Sequence, residues 1–397
     1  MRTPAEASLA IAAELAPLAA EPCRVALAAG RVLREDVAAE RDQPPFDRVA
    51  MDGIAIALSA WQQGRRQFRI AGTVAAGSRP PSLASPETCL EVMTGAVLPA
   101  GTDAVIPVEQ IAVADGVATL AAEAAPAPYA NVHRQGTDAR AGSRALASGT
   151  VLRGPELAIA ASAGRAVLSV AREPRIAIIS TGDELVGPDV PVAPWQIRRS
   201  NAYGIAATLV QRGHRLLTDD HVPDDPARIR ARLEAHLAGN DVLVLSGGVS
   251  AGRFDHVPGV LEALGVRRVF HKVAQRPGKP LWFGVGPQGQ PVFALPGNPV
   301  STLVCLIRYV LPALVRLGGA VPLPPEQAAL ASAYESRHPL TAFVPVDRGS
   351  ADRPAAVVLH PTHGSGDFTA LAGTAGFAEL AAGRRFEPGD PVPIYTW

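Results

Sequence analysis

The chain has 397 residues, 48% of them hydrophobic and 19% charged, with Lys+Arg and Asp+Glu equal at 37 each. At roughly 100–200 residues per domain this predicts several domains with full cores, and the balanced charge excludes a general nucleic-acid binder, which needs a basic face. Cys23, Cys89 and Cys305 are widely separated with no CxxC pairing, which argues against a disulfide framework or zinc site and predicts a reducing cytoplasm.

At the start of the chain, Thr3-Pro4-Ala5-Glu6 reads as a capped helix, with Thr3 as N-cap, Pro4 in the first turn and Glu6 closing a capping box; the helix is expected to end near Ala16. Glu6, Glu14 and Glu21 interrupt the Ala/Leu-rich segment and no basic lead precedes it, so it is not read as a signal peptide. No apolar run of about 18 residues is found, and no membrane span is expected. From 42 to 142, β-like runs near 68–70, 89–92, 104–108 and 116–120 alternate with Gly/Pro turns, as in a small β-rich domain. Gly154-Pro155-Glu156 then opens an Ala-rich helix over 157–163, expected to return and pack against the first. These readings give a discontinuous helical linker and dimerisation domain (1–41 and 143–171) carrying a β-rich insertion (42–142).

Over 172–319 the pattern alternates strand and helix. The apolar runs at 175–180, 241–245 and 291–295 are of the buried parallel kind, and helices are expected over 202–212 (capped by Ser200-Asn201), from Asp225-Pro226 to about 239, and over 302–317. This is a doubly wound α/β domain. A Pro-rich stretch at 321–325 leads into a small C-terminal β-domain, 320–397. The fold class is therefore multidomain, α/β plus β.

Lys272 and Lys279 are the only lysines in the chain, and they lie together in Lys272-Val273-Ala274-Gln275-Arg276-Pro277-Gly278-Lys279. An ammonium and a guanidinium are not interchangeable where an anion is met from one direction, so this segment is the first candidate site. Ligands of open α/β sheets bind beyond the carboxyl ends of the strands. There, Ser246-Gly247-Gly248-Val249-Ser250 has the glycines and hydroxyls of a phosphate cradle. Glu184, Asp224 and Asp255 are hard oxygen donors placed to share one crevice, suited to Mg²⁺ with substrate phosphates completing its shell; capping of the helix at Pro226 is the competing role for Asp224 and Asp225. Pro296-Gly297-Asn298-Pro299 makes a stiff strand-to-helix turn suited to an anion or sugar phosphate.

Seven segments, in order, carry a family resemblance: Pro44–Gly53 (PPFDxxAMDG), Met93–Val105 (MTGAxxPxGxDAV), His133–Asp138 (near RxxGxD), Ser180–Leu185 (STGDEL), Ser246–Asp255 (SGGVSxGxxD), Lys272–Pro280 (KxAxRPGKP) and Leu295–Ser301 (LPGNPVS). Together they resemble the molybdopterin molybdenumtransferase family, which includes bacterial MoeA and the E domain of gephyrin. The resemblance implies an elongated homodimer of four-domain subunits in which molybdate, with Mg²⁺, enters the dithiolene of adenylylated molybdopterin and AMP is released. It implies an acidic centre of Glu184, Asp224 and Asp255, with Asp138 contributing, and anion contacts from Lys272, Arg276 and Lys279. Ser246, Gly247, Gly248, Ser250, Pro296, Gly297, Asn298, Pro299 and Ser365 would line the substrate cleft, which Asp52 and Thr94 would reach from the partner subunit. The molybdopterin adenylyltransferase and apo-molybdoenzymes are the implied protein partners. Arg48-Val49 replaces the family's common Asn-Ser, Arg276 replaces a frequent lysine, and the segment around Ser365 matches loosely. These departures leave open a tungstate-inserting homologue, a paralogue serving one enzyme, or a non-catalytic cofactor carrier. A phosphohydrolase on a related α/β domain is disfavoured by PPFDxxAMDG and LPGNPVS.

Overall fold

The computed structural model describes residues 1–249, 256–336, 338–349, 356–360 and 362–397. Its centre is a six-stranded sheet in the order Leu217–Val222, Ile176–Thr181, Val242–Ser246, Pro291–Leu295, Trp282–Val285, Arg267–His271. The first four strands are mutually parallel; Trp282–Val285 runs antiparallel to both of its neighbours, so Arg267–His271 again runs with the first four. Strands 176–181, 242–246 and 291–295 are buried along their whole length, as a sheet covered on both faces requires. Helix Ser200–Gln211 and the long helix Pro299–Leu317 cover one face, and Pro226–Gly239 with Val257–Ala263 cover the other. The parallel register sets Ser180 beside Ser246 and Ser246 beside Leu295, so the three strands end at one level and their loops converge.

The helix Pro299–Leu317 spans 19 residues and is apolar enough by length and composition to cross a membrane, which the sequence reading did not anticipate; 67% of its most apolar window is buried inside the protein, as befits a core helix. Its middle is a π-helical turn, Leu306–Val310. Helix Ser200–Gln211 begins one residue into the expected cap, with Arg199 at the N-cap position and no side-chain cap; Asn201 instead donates to Ser246 Oγ at 2.8 Å and to Gly297 O at 2.7 Å.

The first helix runs Pro4–Ala13 with the expected capping box of Thr3 and Glu6. It does not pack on the helix Gly154–Ser162. Its buried Ala7 and Ile11 join the core of the α/β domain instead, beside Phe270, Val310 and Leu314. Helix Gly154–Ser162 closes a separate small core with Leu33, Val37, Leu152 and Leu168. Two strand pairs, Ala20–Arg24 with Val167–Ala171 and Val37–Ala38 with Arg144–Leu146, bring the chain segments flanking the insertion together, so that unit is mixed rather than helical. Between them the inserted segment forms a six-stranded sheet that includes Gly53–Ile56, Gln67–Val74, Thr88–Val92, Ala104–Pro107 and Val117–Leu120.

In the C-terminal domain, Glu326–Leu330, Ala356–Leu359, Thr341–Arg348, Gly376–Leu380 and Pro391–Thr396 close on one another as a five-stranded barrel. A short parallel pairing of Gln275 with Thr341 and Arg276 with Ala342 ties the cationic segment to this barrel. A second tie is Arg308, whose Nε donates to Glu379 at 2.8 Å and whose Nη1 donates to Ser8 at 2.7 Å.

Asp241, at the entrance to strand 242–246, accepts from Arg172 at 2.7 and 2.9 Å and from the Arg175 N–H at 2.8 Å. Burial pushes its carboxyl upward, but the arginines outweigh this and hold it down to about 2. An unfolded aspartate titrates near ~3.9, so this group stabilises the fold fully above that value and loses its contribution as pH falls toward the folded one. Asp241→Asn is expected to cost about 2 kcal/mol at neutral pH and to flatten the stability profile between about pH 4 and 2. Urea midpoints of both chains across that range check it; parallel acid slopes would rule the pair out as a contributor.

Candidate active site

A cleft of about 520 Å³ lies where the strand ends of the α/β domain meet the barrel. Thr181, Gly182 and Glu184 enter it from the end of strand 176–181, Asp224 from the end of strand 217–222, and Gly247 and Gly248 from the end of strand 242–246. Pro296, Gly297, Asn298 and Ser301 come from the end of strand 291–295, Arg276 to Pro280 from the cationic loop, and Leu340 and Ser365 from the barrel side. The expected acids and cations therefore do meet. The role of Asp224 is separated from capping: Asp225 caps the helix at Pro226 by accepting from Arg228 N at 2.8 Å, which leaves Asp224 for the cleft.

The electrostatics are one-sided at the acidic end. Burial and the neighbouring carboxylates of Asp183 and Glu184 push the Asp224 carboxyl above the usual range. Among the described residues none of these three acids forms an ion pair with Arg or Lys. The backbone at Gly247 and Gly248 approaches so closely that a Cβ on either would stand 2.6 Å from Thr181 O or 2.8 Å from Thr181 Oγ1. Thr181 Oγ1 is itself buried without a hydrogen-bond partner among the described residues, a free polar atom in the cleft wall.

Several expected residues stand elsewhere. Ser246 is buried behind the glycines and accepts from Asn201, which also holds Gly297, so both belong to the support of the cleft. Pro299 opens the long helix, and Asn298 Nδ2 donates to Ser365 Oγ at 2.6 Å across the domain junction. Lys272 does not line the cleft with Arg276 and Lys279; it sits in a left-handed turn (φ 73°) with its N–H bonded to Leu281 O at 2.9 Å. Ser250 and Asp255 lie outside the described residues.

Asp52, Thr94 and Asp138 are in the inserted domain and do not line this cleft. Asp52 Oδ1 accepts both the N–H and the hydroxyl of Thr94, at 2.6 and 2.7 Å, which holds its carboxyl below the usual range. Asp138 Oδ1 meets His133 Nε2 at 2.9 Å, and His133 Nδ1 meets Arg48 Nη2 at 3.1 Å. His133 thus bridges Arg48 and Asp138. The unusual Arg48 thus has a partner in the equally unusual His133. Sequence reasoning missed Thr181, Gly182, Gln275, Ser301 and Leu340. The position of Thr181 at a strand's carboxyl end was a usable signal; Leu340 carried none.

Three family models match in succession: the MoeA N-terminal region, domains I and II, over residues 3–164; a probable molybdopterin binding domain over 177–316; and the MoeA C-terminal region, domain IV, over 327–397. The chain belongs to the MoeA family. A molybdopterin molybdenumtransferase of Synechocystis is 42% identical, covering 93% of each chain, and one of Synechococcus elongatus is 35% identical over 98% of this chain and 97% of that protein. Among solved structures, a MoeA protein of Pyrococcus horikoshii matches the whole chain with a TM-score of 0.83 at 25% identity, and another is 27% identical with a TM-score of 0.78 over 99% of this chain. The multidomain α/β and β architecture is that of the MoeA family.

Proposed function

We propose that this chain is a molybdopterin molybdenumtransferase that takes adenylylated molybdopterin and molybdate, depends on Mg²⁺, and releases AMP. The observation that carries this reading is the single cleft in which Glu184 and Asp224 share a wall system with Arg276, Lys279 and the Gly247–Gly248 backbone. Such a substrate needs those three elements together: a cation site, an oxyanion site and a backbone cradle for phosphate.

The acids fit Mg²⁺. Burial and the neighbouring carboxylates of Asp183 and Glu184 push Asp224 upward, a repulsion that a bound divalent cation would relieve. Among the described residues no group of three or more His, Cys, Asp or Glu makes a closed protein cage. Mg²⁺ characteristically uses one or two carboxylates and completes its shell with water and substrate phosphates. Glu184 and Asp224 would hold it, with Asp255 as the proposed third donor, and when bound it would offset charge on the diphosphate and the departing AMP.

The chain's own residues supply position. Arg276 and Lys279 attract the oxyanion, and Gly247 and Gly248, glycines because a Cβ there would strike Thr181, bring backbone to the cleft wall. Asn201 ties Ser246 to Gly297, fixing two cleft walls relative to each other. Bringing both reactants into one site lowers the entropic part of the barrier. Asp52 and Thr94 act on the cleft of the partner in a homodimer, a reading that suits their place in the inserted domain, away from the cleft of their own chain. In the test, purified protein is incubated with adenylylated molybdopterin, and AMP is measured with Mg²⁺ or molybdate omitted and with tungstate in molybdate's place. Release requiring both ions is expected; undiminished release with either ion omitted would defeat the proposal.

A further inference from the structure

The cationic loop rests on a buried polar platform that its motif did not announce. Gln275 is 0% exposed and Tyr309 1%, unusual burial for groups with this much hydrogen-bonding capacity. Tyr309 lies in the π-helical turn Leu306–Val310, and its hydroxyl donates to Gln275 Oε1. Gln275 Nε2 donates to Pro277 O at 3.0 Å, and Cys305 Sγ approaches Gly278 O at 3.7 Å. Gly278 adopts φ +91°, and a Cβ there would stand 2.6 Å from Gln275 Nε2 and 2.7 Å from Cys305 Sγ. The platform is therefore packed against the loop with no room between them.

Its consequence follows from peptide geometry. In a trans peptide the C=O of one residue and the N–H of the next point in opposite directions. The carbonyl of Pro277 is turned down onto Gln275, and that of Gly278 faces Cys305 Sγ while accepting the Leu281 N–H at 3.2 Å, so the N–H groups of Gly278 and Lys279 are turned away from these partners. Neither N–H finds a backbone or side-chain acceptor among the described residues, although both residues line the cleft. Successive free N–H groups beside a left-handed glycine form the kind of concavity that binds anions.

We propose that Gln275 and Tyr309 are positioning residues that fix these two peptides as a seat for a tetrahedral oxyanion, completed by the charges of Arg276 and Lys279. The seat rests on the transferase reading only for the identity of the anion, molybdate.

The test measures two quantities on the full chain. Calorimetric titration with molybdate alone, and with inorganic phosphate as a second probe, reads the seat directly; steady-state assays separate KM for molybdate from kcat. Gln275→Leu, which keeps the volume and removes the donor to Pro277, is expected to weaken molybdate binding and raise its KM about tenfold, with kcat within about twofold. Tyr309→Phe, the milder change, is expected to shift both about threefold in the same direction while the chain stays folded by circular dichroism. Unchanged molybdate affinity in folded Tyr309→Phe and Gln275→Leu would overturn the proposal, as would a fall in kcat with KM unaltered. Wild-type chain that binds molybdate at this seat but never turns over would refute the transferase reading and leave the seat standing; wild-type chain that binds neither oxyanion would refute the seat.

Discussion

Asp224→Asn and Glu184→Gln are each expected to lower kcat/KM by roughly a hundredfold or more and to raise the Mg²⁺ concentration needed for half-maximal rate, because each removes one of the two described carboxylates in the cleft. The stability effect of Asp224→Asn should have the opposite sign. Burial, Asp183 and Glu184 raise the folded-state pKa of Asp224 above its unfolded value, so the ionised carboxylate costs stability at neutral pH. Removing that charge should leave the thermal midpoint unchanged or slightly higher. This combination, lower activity with no loss of stability, is what a charge kept for function predicts. Magnesium titrations of initial rate and thermal melts of the three chains provide the check. Normal turnover of Asp224→Asn at limiting Mg²⁺ would remove it from the metal role, and a large drop in melting temperature would reassign it to structure.

The second large effect concerns two subunits. If Asp52 serves the cleft of a partner, an Asp52→Ala chain and an Asp224→Asn chain are each inactive alone, yet a mixed dimer contains one site with both residues intact. A dimer holding one chain of each kind has one of its two sites intact, so about half of wild-type activity per dimer is expected once mixed dimers are isolated. The local geometry suits this role, since the paired Thr94 hydrogen bonds hold the Asp52 carboxylate ionised and in one orientation on an exposed surface. Differently tagged chains, co-expressed and purified through both tags, allow the measurement. Mixed dimers without recovered activity would place Asp52 in some other task.

Much of this was legible in the sequence for a physical reason. Strands at 176–181, 242–246 and 291–295 are buried on both faces, so they announce themselves as continuous apolar runs ending in glycine, serine or proline. The edge strand Leu217–Val222 gives no such signal. Its Asp219 pairs with Arg199 and its Asp220, largely enclosed, with Arg232 and His236, and these polar pairings hide a strand inside a helix-loop reading. The first helix was read correctly as a helix but assigned the wrong neighbour, because Ala7 and Ile11 define a weak apolar stripe that does not specify which core receives it.

At the site, residue type carried the acids and cations into view, since Glu184, Asp224, Arg276 and Lys279 have chemistry that their local structure does not use. Support residues were hidden for the converse reason. Asn201 imitates a helix cap, and Gln275 looks like an exposed polar residue in a basic loop until the fold buries it beneath that loop. Lys272 shows the limit of proximity in sequence: seven positions from Lys279, it occupies a left-handed turn beside Leu281 rather than the cleft.

The most direct test of the account is a single-turnover reaction with limiting adenylylated molybdopterin, in which AMP and the molybdenum retained in the isolated pterin product are both quantified. A transferase incorporates one molybdenum per AMP released, and both are expected to fall together when Mg²⁺ is withheld. AMP without incorporated metal would mark a phosphohydrolase, and tightly bound substrate yielding neither product would mark a carrier; either result would contradict the assignment.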